Sequence, residues 1–253
     1  MRPGCADARG AGDNGQTFGI DVAKPCQTLG RNGLARNIID KVAAVSLPTE
    51  PASVALVSRI NYVYLQNAVA WLVMEGIVAW RRWPREQSNR QAVIAVMYDP
   101  EVADAAHRAG VGAVLDTALG GKSGLEGITP YRAQFAVETL GDGRFTYTGA
   151  MNLNSKAQLG NMALLRVVDE DSEVRVVVGS SRSQCLDLAM IRHLGLEPTG
   201  QNIVAVKSTV HFRADFDPIA AETLVVIAPG IHPCKLDDLE YNNLRSGVRL
   251  GPL

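Results

Sequence analysis

Charge of one sign is what this sequence most conspicuously lacks. Lys and Arg number 25 against 26 Asp and Glu, for a formal net charge of -1. With both signs spread along the chain, no electrostatic argument points to nucleic acid or to an anionic membrane surface, and neither partner is expected. Cysteine is scarce and scattered: Cys5, Cys26, Cys185 and Cys234 form no CxxC pair. That spacing excludes a zinc ribbon and a thioredoxin-like motif, and reduced, unpaired thiols are the default. Histidine is equally sparse. His107, His193, His211 and His232 stand apart, with no HExxH among them, so no zinc-ligand cluster is legible. The opening residues Met1 to Gly10 have no apolar segment after their positive charge, so a secretory signal is not expected and the chain reads as cytoplasmic.

One long apolar run exists, Tyr62 to Trp80, followed by Arg81 and Arg82. It is about long enough to cross a bilayer, but Gln66, Asn67 and Glu75 interrupt it. The expectation is a buried or amphipathic helix. A hydrophobic content of 47% over 253 residues supports one large domain or two small ones with a real core.

The pattern changes near residue 90. Residues 1–90 show no sustained period of either kind and read as an atypical segment, disordered or out of frame. From Gln91 onward, strand-like runs are expected at 92–97, 111–117, 131–140, 161–168, 173–179, 202–207 and 223–228, separated by turn-rich punctuation. Residues 91–253 therefore read as an α/β or α+β domain, a mixed sheet with flanking helices. Asp99-Pro100-Glu101 opens a helix that Gly110 closes, with Val102, Ala105, Ala106 and Ala109 toward the sheet and His107 on a flank. A second helix is expected from Cys185 to His193, ended by Gly195, with His193 as a partner of the helix dipole.

The densest chemistry follows the run Ile203 to Val206. Lys207, Ser208, His211 and Arg213 offer a cation, a hydroxyl, an imidazole and a guanidinium at the end of a strand, where α/β proteins commonly bind ligands. The alternative is a solvated turn. Ser180-Ser181-Arg182-Ser183-Gln184 leads into the second helix. Capping would account for the serines but not for Arg182 or Gln184. Gly120-Gly121-Lys122-Ser123-Gly124 lacks P-loop spacing and reads as a tight turn. His232 and Cys234 are too few for a metal site and read as loop residues.

Taken together, Met97 to Glu101, Ala106 to Gly112, Leu119 to Lys122, Asp142 to Gly149 and Val206 to Ala214 resemble the C-terminal domain of MlrC-type metallopeptidases. The resemblance covers roughly residues 91–253 in order. It implies hydrolysis of peptide or amide bonds by a metal-activated water, with zinc expected in the intact family. It also implies that the ligands lie in a preceding metal-binding N-terminal domain or subunit, so no metal or other cofactor is expected in this chain and it is expected to be inactive alone. On this reading His211 stabilises an oxyanion or protonates a leaving amine. Lys207, Ser208, Arg213, Arg182 and Gln184 hold the substrate. A non-enzymatic module binding a small anionic ligand, or a metal-bearing subunit, is the alternative.

The family's domain opens on an Asp-Asn-Pro-Gly-Gly-Gly type loop, where this chain has Ala79-Trp80-Arg81-Arg82-Trp83-Pro84-Arg85. Tryptophan and CGN arginine codons read one base later yield glycine, so a frame shift within residues 1–90 would account for the difference.

Overall fold

The hydrophobic runs assemble into a nine-stranded mixed sheet in a computed structural model that describes residues 19–21, 53–58, 91–122, 130–168, 173–201, 203–208, 211–227 and 240–249. The strands are β1 (Gly19–Asp21), β2 (Ser53–Ser58), β3 (Gln91–Tyr98), β4 (Val114–Leu119), β5 (Tyr131–Gly141), β6 (Met162–Val167), β7 (Glu173–Gly179), β8 (Ile203–Lys207) and β9 (Ala220–Ile227), ordered β1-β9-β2-β8-β3-β7-β6-β5-β4. From β1 to β7 neighbouring strands run parallel, and from β7 through β6 and β5 to β4 they run antiparallel.

This division is written in the residues. β3 is buried at six consecutive positions and β8 at four, as expected of Val/Ile/Ala runs covered on both faces of a parallel sheet. β4 and the start of β5 alternate exposed with half-buried positions, as antiparallel strands near an edge do. The expected strands from β3 to β9 all occur, with ends moved by a few residues.

Helix α1 (Pro100–Ala109) begins where expected: Asp99 caps it, accepting from the Val102 amide at 3.3 Å, and Gly110 follows with φ 84°. Its buried residues are Val102, Ala103 and Ala106, while Ala109 is exposed. Ala103 thus takes the place expected of Ala109. His107 is half-buried and meets the Met162 carbonyl through Nε2 at 3.0 Å, a flank position.

The second helix is shorter than expected. α2 spans only Ala189–Arg192. Cys185 instead donates its amide to the Lys207 carbonyl at 3.0 Å, extending the chain beside the end of β8. None of the three loop serines caps α2: Ser180 Oγ donates to the Leu159 carbonyl and Ser183 Oγ to the Gln184 carbonyl. Asp187 takes that role, accepting from the Ala189 amide at 2.8 Å. His193 sits at the end of α2 with Nδ1 on the Ala189 carbonyl at 3.1 Å, and burial lowers its pKa, so it serves the helix end as a neutral ring.

Opposite the α1 face, Leu188, Met190, Ile191, Leu194, Phe212 and Phe216 pack on Val93, Val177, Val204 and Val206. Phe212 and Phe216 are fully buried; the latter ends helix α3 (Arg213–Phe216). Each such ring contributes about 1.5–3 kcal/mol. The run Tyr62 to Trp80, the loop residues Ser123 and Gly124, His232 and Cys234, and Cys5 and Cys26 lie outside the described residues. Among the described residues no helix is long and apolar enough to cross a membrane.

Candidate functional site

Parallel pairing brings the carboxyl ends of β3, β7 and β8 together: Tyr98 lies opposite Gly179, and Ala95 opposite Val206. The chain leaves β7 and crosses β3 before returning as β8, and a change of strand order of this kind opens a crevice beyond the strand ends. Lys207 ends β8, Ser208 follows it, and Arg182 and Gln184 follow β7.

Two of them are joined directly. Ser208 Oγ, fully buried, donates to Gln184 Oε1 at 3.1 Å and ties the loop after β7 to the end of β8. The Cys185 amide on the Lys207 carbonyl reinforces this tie. Arg182 is exposed and lays its guanidinium 4.7 Å from the centre of the Tyr98 ring, a cation–π contact.

Lys207 is the electrostatic anomaly. Burial pushes its ammonium down to about 8, assisted by the neighbouring Arg182 charge and opposed by Cys185. Among the described residues no carboxylate pairs with it. An enclosed cation beside a second cation is costly unless an anion joins them. The Cys185 thiol is fully buried and burial pushes its pKa up, so it stays protonated and packs as a small apolar group.

The remaining two candidates stand further along. His211 is half-buried just ahead of α3. Arg213, the first residue of α3, pairs with Asp217 at 3.1 Å and stands over the Phe212 ring at 5.3 Å. Its charge is thus already engaged within the helix. Lys122, in the expected tight turn where Gly120 and Gly121 both have positive φ, is likewise engaged, bridging Asp99 and Glu101 at 2.9 Å each.

Two carboxyls absent from the sequence candidates stand here, Asp187 in the interior and Asp215 half-buried. Asp187 is fully buried. Its Oδ2 accepts the Thr148 amide at 3.0 Å and the Gly149 amide at 2.8 Å, while Oδ1 accepts Thr148 Oγ1 and the Ala189 amide. Asp215 of α3 accepts the Leu188 amide at 3.2 Å; burial first, and then the Asp187 charge, raise its pKa. The one local signal for Asp187 was a capping residue two places before Ala189 within an otherwise apolar stretch.

The family resemblance implies zinc, which needs three or four ligands converging on one point. Among the described residues no three His, Cys, Asp or Glu gather to hold a metal ion, and His107 and His193 spend a ring nitrogen on backbone carbonyls. The described residues do not fit a zinc centre.

Comparison with known proteins agrees with this architecture. A curated relative, Microcystinase C from Sphingomonas sp., is 28% identical over 134 residues, 53% of this chain and 25% of that protein. A solved structure from Mesorhizobium sp. BNC1, provisionally named a metallopeptidase, superposes with a TM-score of 0.58 at 23% identity, covering 78% of this chain and 36% of that one. The chain thus spans about a quarter and a third of these relatives. The family described as MlrC C-terminus matches residues 78–243, well over half of the sequence. By that match the chain belongs to the MlrC family, of which it carries the C-terminal domain.

Proposed function

We propose that this chain acts in hydrolysis of peptide or amide bonds by holding the anionic part of the substrate at the end of β8. The observation that carries this reading is Lys207: a largely enclosed ammonium, beside Arg182, with no carboxylate partner among the described residues. A substrate carboxylate or a developing oxyanion would relieve the repulsion between the two cations and recover the desolvation cost. The buried Ser208–Gln184 hydrogen bond holds both strand ends still while it does so. His211 would hydrogen-bond the oxyanion or pass a proton to the leaving amine. Arg213 would add to the carboxylate clamp on leaving Asp217. Zinc, on this reading, belongs to a metal-binding N-terminal domain or subunit, and the groups named here act on the substrate directly.

A second reading keeps the anion site without the chemistry: a module for a small anionic ligand. Titration calorimetry with a linear peptide bearing a free C-terminal carboxylate, and with inorganic phosphate, separates the two. Cleavage of the peptide on addition of zinc and the N-terminal domain of Microcystinase C supports the hydrolase, whereas binding of either anion without cleavage supports the module. Lys207→Met is expected to weaken binding by about tenfold or more, the worth of one charge-assisted hydrogen bond. Wild-type affinity is expected to fall as pH rises through about 8, where Lys207 loses its charge. Unchanged affinity in the variant would reject both readings.

A further inference from the structure

Residues 180–184 leave the end of β7 and arrive beside the end of β8, and in the sheet order β3 lies between those two strands. The segment therefore crosses the carboxyl end of β3 as a strap. Both of its ends are fastened. At the start, the Ser180 amide donates to the Asn161 carbonyl at 2.9 Å, and the Asp99 amide to the Gly179 carbonyl at 3.1 Å. At the far end, Gln184 accepts from the buried Ser208 hydroxyl and the Cys185 amide donates to the Lys207 carbonyl.

In the middle of the strap stands Arg182, and against it Tyr98, the last residue of β3, with the guanidinium carbon 4.7 Å from the ring centre. Arg182 is exposed, whereas Tyr98 is half-buried and belongs to the sheet. A long exposed side chain without a fixed partner spreads its charge over a wide volume, and ordering it costs rotamer entropy at the moment of binding. The Tyr98 ring attracts the cation through its face and supplies no counter-charge. Arg213 and Lys122, by contrast, are engaged by carboxylates. An aromatic face holds a charge in place without cancelling it.

We propose, resting on the reading of Lys207 as an anion holder, that Tyr98 is a positioning residue: it sets the Arg182 guanidinium over the end of β3, so that an anion at the end of β8 meets two cations. The Arg182 charge is felt at Lys207, where it adds to burial in favouring the neutral amine. Tyr98 acts on the anion through Arg182, so the two residues should not behave independently. The ring face does this work, and phenylalanine should serve in its place.

Phosphate titration calorimetry on the full chain and its variants tests this. Tyr98→Leu is expected to weaken binding about two- to fivefold, the worth of an exposed cation–π contact. Tyr98→Phe is expected to match the wild type. In an Arg182→Gln background, Tyr98→Leu is expected to add nothing. Proton NMR gives a reading without ligand: the Arg182 side-chain δ protons should lie upfield, shielded by the ring, in the wild type and Tyr98→Phe, and should return toward free-arginine values in Tyr98→Leu.

If Lys207→Met weakens phosphate binding while Tyr98→Leu does not, the positioning role is overturned and the anion site stands. Equal losses in Tyr98→Leu and Tyr98→Phe, or a full Tyr98→Leu loss in the Arg182→Gln background, would overturn it as well. Phosphate binding unchanged by Lys207→Met rejects the anion site itself, and the positioning role with it. Should Tyr98→Leu not fold, the upfield shift in the wild type and Tyr98→Phe decides alone, its absence counting against the contact.

Discussion

Asp187 stands two residues after Cys185, whose amide bonds the Lys207 carbonyl, yet the two charged residues are opposites. Asp187 is an enclosed anion saturated by three amides and a hydroxyl. Lys207 is an enclosed cation without a carboxylate partner among the described residues. Burial alone therefore does not separate structural charge from functional charge. What separates them is whether the fold itself supplies the counter-groups, because a buried group with all its partners has nothing left to offer a ligand.

The sharpest way to break this contrast is to remove the saturated member. Asp187→Ala strips the acceptor from three amides and is expected to cost about 3–5 kcal/mol, measured by urea unfolding. A loss below about 1 kcal/mol would show that Asp187 is not structural in the sense argued. Lys207→Met should behave oppositely and gain roughly 1–2 kcal/mol at neutral pH, since an enclosed cation gives way to an apolar chain of similar length. The sign follows from the depressed folded-state value: the unfolded chain binds more protons between about 8 and 10.5, so wild-type stability rises with pH across that window. The difference between variant and wild type should shrink there. Destabilisation by Lys207→Met at neutral pH would mean that the lysine has a partner after all.

A smaller effect is expected at His193, which lies between the two extremes. Its Nδ1 bonds the Ala189 carbonyl, its ring stacks on Phe145 at 4.5 Å, and its Nε2 is buried without a partner among the described residues. With its pKa lowered below 6.5 by burial, it opposes folding as pH falls below that value. His193→Phe should flatten the acid limb of the stability curve by no more than about 1 kcal/mol, given its partial exposure.

The contrast also accounts for what could be read from residues alone. Lys207 and Ser208 were legible because a β-branched run ends just before them, and polar groups at such an end reach the crevice. Arg182 and Gln184 stood out because capping left them unexplained. Arg213 looked alike in sequence, but its pairing with Asp217 requires knowing that α3 exists. The stretch Cys185 to Leu188 was read as helix because its apolar spacing is helical. Two contacts from distant residues, the Lys207 carbonyl on Cys185 and the Asp215 carboxyl on Leu188, accompany the later start of the helix at Ala189.

The residues by themselves determined the strands from β3 to β9, the start and stop of α1, and family membership, all of which rest on local pattern or ordered motifs. Tertiary structure alone decided which charges are spent. Pairing is a matter of distance between segments far apart in the chain, and neither the bonds of Asp187 to Thr148 and Gly149 nor the lack of a carboxylate on Lys207 among the described residues has any expression in local sequence.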